Sequence, residues 1–307
     1  MFRAIPGANL SARHCAFRSV VEPTRRLFAS SSLSRSFVSS ESSQIQEEKA
    51  AREETHFGFK NVPTDLKESL VADVFSSVAS KYDLMNDAMS AGIHRLWKDT
   101  FIRRMSPMPG AKLLDVAGGT GDIALRYLNY QDKINYDSTS SVHLVDINPQ
   151  MLAAGEKRFA GSRWVQDERI KFSVGNGENL VGIESNSVDI FTIAFGIRNC
   201  TTPQNVLNEA YRVLKPGGRF MCLEFSKVEQ PVISALYDVF SFKVIPEIGQ
   251  VIANDRESYQ YLVESIRQFP DQRTFAEMIR KAGFTTVREG YENLTFGVAA
   301  IHTGFKV

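Results

Sequence analysis

Three glycines between two aspartates, in Asp115-Val-Ala-Gly-Gly-Thr-Gly-Asp122, are the residues of this chain best suited to hold a ligand by its backbone. Glycine is free to take positive φ, and its missing Cβ lets a ligand come close to the main chain. Helical spacing resumes in Ile123-Ala-Leu-Arg-Tyr-Leu128, so unpaired N–H groups and the positive end of a helix dipole would face whatever lies on the loop. An anionic or acceptor-rich group is expected there. Asp146 ends a short apolar run and is able to accept both hydroxyls of a ribose. Asn176 and Gly177 end the next run, where they can reach an adenine edge; an ordinary turn is the plainer reading of that pair. Arg198 and Asn199 follow Val188-Asp-Ile-Phe-Thr-Ile-Ala-Phe-Gly-Ile197, and a guanidinium there is a fixed cation rather than a base. Tyr82, in the polar and aromatic link Lys81–Gly92, is a further candidate to face a ligand, with packing as its alternative role.

Side chains so far apart in the chain need a common frame, and the hydrophobic pattern supplies one. The runs Leu113–Ala117, Ser141–Asp146, Arg169–Val174, Val188–Ala194 and Arg219–Ser226 have strand length and apolar character, and helical spacing separates them. Alternation of this kind predicts an α/β fold: a mostly parallel sheet with helices on both faces, its ligands at the carboxyl edge of the strands. Leu214-Lys-Pro-Gly-Gly218 reads as a turn before the fifth strand, with Pro216 and Gly217 at its centre. Phe284–Val307 reads as two strands joined by a short turn, an antiparallel finish. Ahead of the first strand, Leu66, Leu70, Val71, Val74, Phe75 and Val78 mark one amphipathic helix. Ile93, Leu96, Trp97, Phe101 and Met105 mark a second. Both would cover the site. In Pro231–Gly249, Ile233, Leu236, Tyr237, Phe240 and Val244 align on one side, as do Tyr259, Leu262, Val263 and Ile266 further on. Core packing is the default for both stretches, and an apolar lid or membrane-surface contact is the sharper reading.

The chain of 307 residues balances 36 basic against 35 acidic side chains, for a net charge of +1. Residues 1–46 hold six Arg, no Lys and two Glu, a local +4 that leaves −3 for the rest. A body of that charge gives no electrostatic reason to bind nucleic acid. Arg, Ser and scattered apolar residues with few acids make residues 1–40 resemble a mitochondrial transit peptide, and 41–55 reads as a polar linker. Cys15, Cys200 and Cys222 make neither a metal spacing nor a disulfide framework. No apolar stretch approaches the ~20 residues needed to span a bilayer.

Gly119-Thr-Gly-Asp-Ile-Ala124 also fits the loose dinucleotide pattern, although Asp146 lies 27 residues past Gly119 where about 20 are usual. A nicotinamide-dependent oxidoreductase therefore stays open on the loop alone, as does a non-catalytic scaffold that keeps the fold. The set of motifs as a whole resembles the class I S-adenosylmethionine-dependent methyltransferases. Within them His56–Val62, Val74–Lys98, the glycine loop, Phe195-Gly-Ile-Arg-Asn199, Tyr211–Phe220, Leu223–Ser226, Tyr259–Ile266 and Leu294–His302 resemble the ubiquinone/menaquinone biosynthesis C-methyltransferase family. The resemblance implies a seven-stranded sheet with its last strand antiparallel, over a domain of residues 56–307 with an apolar lid near 230–268. It implies S-adenosyl-L-methionine as methyl donor, held by Thr120 and Gly119 in the loop, Asp146 at the ribose, and Asn176 with Gly177 beside the adenine. Active-site positions fall on Tyr82, Arg198 and Asn199. Ala194 stands where bacterial relatives often carry Ser, so a hydroxyl contact is missing there. The implied reaction is methylation of a ring carbon of a polyprenylated methoxy-benzoquinol in ubiquinone biosynthesis, with no metal. The implied setting is the matrix side of the mitochondrial inner membrane, bound peripherally among other enzymes of a ubiquinone-biosynthesis complex, with a homodimer expected by family.

Overall fold

The computed structural model describes residues 54–78, 86–87, 90, 92–253 and 255–307. The expected leader, most of the linker and Tyr82 lie outside them.

The described chain opens with an antiparallel hairpin, β1 (Glu54–Phe57) and β2 (Lys60–Pro63), in which Glu54 pairs with Pro63. Glu54 and Thr55, expected at the end of the linker, thus already belong to a strand. Helices α1 (Thr64–Val78) and α2 (His94–Met105) follow. The alternating part then runs β3 (Lys112–Val116), α3 (Asp122–Lys133), β4 (Ser141–Asp146), α4 (Pro149–Phe159), α5 (Arg163–Gln166), β5 (Ile170–Val174), β6 (Val188–Ala194), α6 (Pro203–Val213) and β7 (Leu214–Phe225). Three helices come next, α7 (Pro231–Val239), α8 (Ile245–Ala253) and α9 (Arg256–Gln268), with a π-helical segment, Phe240–Val244, between the first two. Helix α10 (Gln272–Lys281) and strands β8 (Tyr291–Leu294) and β9 (Ala299–Phe305) complete the chain.

Seven strands form one sheet in the order β5-β4-β3-β6-β7-β9-β8. The pairs β5–β4, β4–β3, β3–β6 and β6–β7 are parallel, and β9 lies antiparallel to both β7 and β8. The period of two along each strand sorts side chains to the two faces. Leu113, Leu144, Ile190 and Met221 join one core with residues of α2, α3, α4 and α9. Leu114, Val145, Phe191 and Phe220 join another with residues of α6 and α10. Both faces are covered, which is why β3 and β6 read as continuous apolar runs. The strand order reverses between β3 and β6, so the crevice outside their carboxyl ends is where such a sheet takes a ligand.

One local expectation is extended and another is corrected. The Leu214–Gly218 turn is part of β7: Leu214 pairs with Val188 and Arg219 with Ile190, so the intervening residues bulge out. Gly217, with φ +82°, donates its N–H there to the Lys306 carbonyl at 2.7 Å. In α7 and the π-helical segment after it, Ile233, Tyr237 and Phe240 pack on the core while Leu236 and Val244 are exposed. Leu236 sits at the margin of the apolar stripe, and the π-helical turn rotates Val244 away from it.

Candidate active site

The glycine loop is shaped by close approach. A Cβ on Gly119 (φ +52°) would lie 2.9 Å from the Met151 side chain, and one on Gly121 (φ +78°) 2.8 Å from the Phe159 ring. Helix α4, which carries both partners, therefore packs on bare backbone. Asp146 fixes the loop from the neighbouring strand. Its Oδ2 accepts the Gly119 N–H and its Oδ1 the Asn148 N–H, both at 2.8 Å. Each oxygen keeps a lone pair for a further donor. Burial pushes this carboxyl's pKa up, and the backbone N–H groups pull it back. Asn148 caps α4 by accepting from Gln150 and Met151 N–H, and its amide donates to the Ala72 carbonyl at 3.2 Å, which draws α1 over the crevice.

Beyond β5, the Asn176 side-chain oxygen accepts the Glu178 N–H at 2.8 Å, and its side-chain nitrogen donates to Glu68 of α1 at 3.3 Å. A Cβ on Gly177 would meet the Val116 side chain at 2.7 Å, so only glycine lets this loop lie on β3. The Glu178 carboxylate accepts the N–H groups of Thr201 and Thr202 at 2.6 and 3.0 Å, joining the loop after β5 to the loop after β6. Lys67, 2% exposed on α1, braces the same place by donating to the Cys200 carbonyl at 2.8 Å.

Of the residues expected from the sequence, Gly119, Thr120, Asp146, Asn176, Gly177 and Asn199 line one cavity at the switch point. Ala194 lines it too. Arg198 does not: its guanidinium turns into the protein, where Nη1 donates to Glu224 at 2.8 Å and to the Phe195 carbonyl at 2.6 Å. Both side chains of that ion pair are almost wholly buried, at 2% and 1% exposure. A charge taken that far from water needs its counter-ion and hydrogen bonds, and the glutamate, its pKa raised by burial, stands on the adjacent strand end. Arg198 thereby sets the turn whose next residue, Asn199, faces the cavity. The Asn199 side-chain oxygen accepts a 3.1 Å hydrogen bond from Tyr261 of α9, whose ring stacks on Phe57 of β1 at 4.2 Å. Phe195 has φ +56° and Ala117 φ +51°, both in the left-handed region that non-glycine residues rarely occupy. The two turns press together, since a Cβ on Gly196 would lie 2.5 Å from that of Ala117.

Asp115 and Lys98 also line the cavity, and neither was singled out from the sequence. Asp115 is 1% exposed; its Oδ1 accepts the Thr192 hydroxyl at 2.7 Å, and its Oδ2 has no hydrogen-bond partner among the described residues. Burial pushes this carboxyl up to about 7. The signal was a lone acid inside an otherwise apolar strand. For Lys98 it was a basic residue in the apolar stripe of α2, where the structure buries His94, Trp97, Lys98, Phe101, Ile102 and Met105 and leaves Leu96 in solvent.

The arrangement fits a cationic adenosyl ligand. Asp146 and the loop glycines form a cradle that side chains would fill, and the unmatched Asp115 oxygen awaits a donor. The family described as the ubiE/COQ5 methyltransferase family matches residues 63–306. The chain is 57% identical over 257 residues to a mitochondrial 2-methoxy-6-polyprenyl-1,4-benzoquinol methylase of Schizosaccharomyces pombe, covering 82% of this chain and 84% of that one. It is 53% identical to a ubiquinone/menaquinone biosynthesis C-methyltransferase, UbiE, of Cereibacter sphaeroides, covering 82% and 97%. Among solved structures, the putative methyltransferase bound to the Trm112 activator of Haloferax volcanii shares the fold with a TM-score of 0.53 at 16% identity, covering 77% and 97%.

Proposed function

The chain belongs to the ubiE/COQ5 methyltransferase family, and from that premise we propose that it transfers a methyl group from S-adenosyl-L-methionine to a ring carbon of 2-methoxy-6-polyprenyl-1,4-benzoquinol, a step of ubiquinone biosynthesis in the mitochondrion. The observation that carries the reading is the tie of Gly119 to Asp146 at 2.8 Å across the switch point. It makes the glycine loop and a hydroxyl acceptor into one rigid half-site. Asp146 would hold the ribose hydroxyls, Gly119 and Thr120 the loop side of the donor, and Asn176 with Gly177 the adenine edge.

When bound, S-adenosylmethionine supplies an electrophilic methyl group on a sulfonium. The protein's own work is to place a ring carbon in line with it, where most of the rate arises from position. Asn199 is offered for this by the turn that Arg198 and Glu224 lock, with its amide N–H₂ free to donate to a quinol oxygen while Tyr261 occupies its carbonyl oxygen. A guanidinium stays protonated under all working conditions, so Arg198 contributes a fixed positive charge beneath the site and accepts no proton. Part of that charge is offset by Glu224, so its field at the quinol is weaker than that of a lone cation. The role of Tyr82 at the ligand stays part of this proposal and rests on the family motif alone.

A polyprenylated substrate lies in the bilayer, so under this proposal the protein works peripherally at the inner membrane; the matrix side, the neighbouring enzymes of the pathway and a homodimer are what the family resemblance implies. No described helix is long and apolar enough to cross a membrane. Incubation with methyl-labelled S-adenosylmethionine and a short-tailed demethyl quinol is expected to label the ring carbon. Binding of NADH in place of S-adenosylmethionine would overturn the reading in favour of an oxidoreductase, and binding without turnover would leave a scaffold.

A further inference from the structure

Resting on the proposed methyl donor, we propose that Lys98 recognises the carboxylate of its amino-acid arm, and so separates adenosyl amino acids from adenosyl thioethers that lack the arm. The case begins with burial. Lys98 is 4% exposed on the apolar stripe of α2, where an ammonium is costly unless it is paired. Its Nζ donates to Asp122 Oδ2 at 2.7 Å. An ammonium has three donors, and this bond occupies one of them. Asp122 is also approached by Arg126, whose Nε lies 3.4 Å from Oδ1, so the aspartate does not neutralise Lys98 alone.

Charge around the cavity gives the second argument. Glu68, Asp115, Asp122, Asp146 and Glu178 all line it, and Lys98 is the only Lys or Arg lining it among the described residues. Even with Asp115 kept neutral by burial, a lining of that sign favours a sulfonium and an α-ammonium over a carboxylate, and Lys98 is the group in it that can pair with one. Lys98 pairs with the first residue of α3, directly after the glycine loop. Asn176 and Gly177, on the proposed adenine side, follow β5 instead, and Asp146 at the end of β4 stands between the two loops in strand order. The single cation therefore stands where the arm of a nucleoside held by Asp146 would extend.

Calorimetric titration with S-adenosylhomocysteine and with 5′-methylthioadenosine tests this on the full chain. Lys98→Met is expected to weaken S-adenosylhomocysteine about 10- to 100-fold and to leave 5′-methylthioadenosine within about twofold, with Lys98→Arg restoring most of the loss. Equal weakening of both ligands, or of neither, would overturn the assignment and leave Lys98 as an anchor of α2 to α3. If Lys98→Met fails to fold because Asp122 is left unpaired, Lys98→Met with Asp122→Asn removes the stranded charge and the same comparison decides. A wild-type protein that binds neither compound would overturn the proposed function as well, which separates the two failures.

Discussion

Asp115 holds a carboxyl that the fold would keep neutral and a cationic ligand would ionise. Burial raises its pKa to about 7, whereas an unfolded aspartate titrates near ~3.9. Between about pH 4 and about pH 7 the folded chain thus keeps a proton that the unfolded chain has lost, so stability falls as pH rises through that window. Asp115→Asn abolishes this step while preserving an acceptor for the Thr192 hydroxyl. Its melting temperature is expected to exceed that of the wild type above pH 7 and to converge with it near pH 4. Its affinity for S-adenosylhomocysteine is expected to fall about tenfold or more. Circular-dichroism melts across that range check the first statement, and two parallel curves would contradict it. A residue that destabilises the empty protein and serves the filled one is the exchange expected at a binding site.

At the scale of elements, α9 reaches the turn after β6 through one hydroxyl. Burial pushes the Tyr261 pKa up, so it remains a donor to Asn199 at any physiological pH. Tyr261→Phe keeps the stack on Phe57 and removes only that bond. Stability is expected to drop by about 1 kcal/mol and turnover by about tenfold or more, with S-adenosylmethionine affinity unchanged; equal loss of affinity would refute a role confined to Asn199. Much of this architecture was legible in the sequence because it depends on local pattern. The strand–glycine–helix unit, the acid ending β4 and the apolar run of β6 are each fixed within a dozen residues. What escaped depends on distant partners. The inward turn of Arg198 is decided by Glu224, which reaches the same strand edge only when β7 pairs with β6. The burial of Lys98 is decided by Asp122 on another helix. The exposure of Val244 follows from a π-helical turn that no apolar spacing announces.

For the whole molecule, the exposed apolar side chains of α7 bear on where the protein works. Val232, Leu236 and Val239 are 74%, 68% and 52% exposed, while Phe240, on the same stretch, packs on the core. Contiguous apolar surface of this kind fits contact with a lipid surface. Co-flotation of the protein with liposomes is expected to be lost on Leu236→Glu with Val239→Glu, while Phe240 is left in place to preserve the fold. Unchanged flotation would count against α7 as the contact. The sheet carries one more consequence. Strand β9 takes the seat between β7 and β8 although it is made after both. Until residues 299–305 have left the ribosome, β7 presents an open edge of hydrogen-bonding groups, a template for mispairing with another nascent chain. A premature stop anywhere before Ala299 would therefore do more than shorten the protein. It would leave β8 with no strand to pair with and the free edge of β7 as a seed for aggregation.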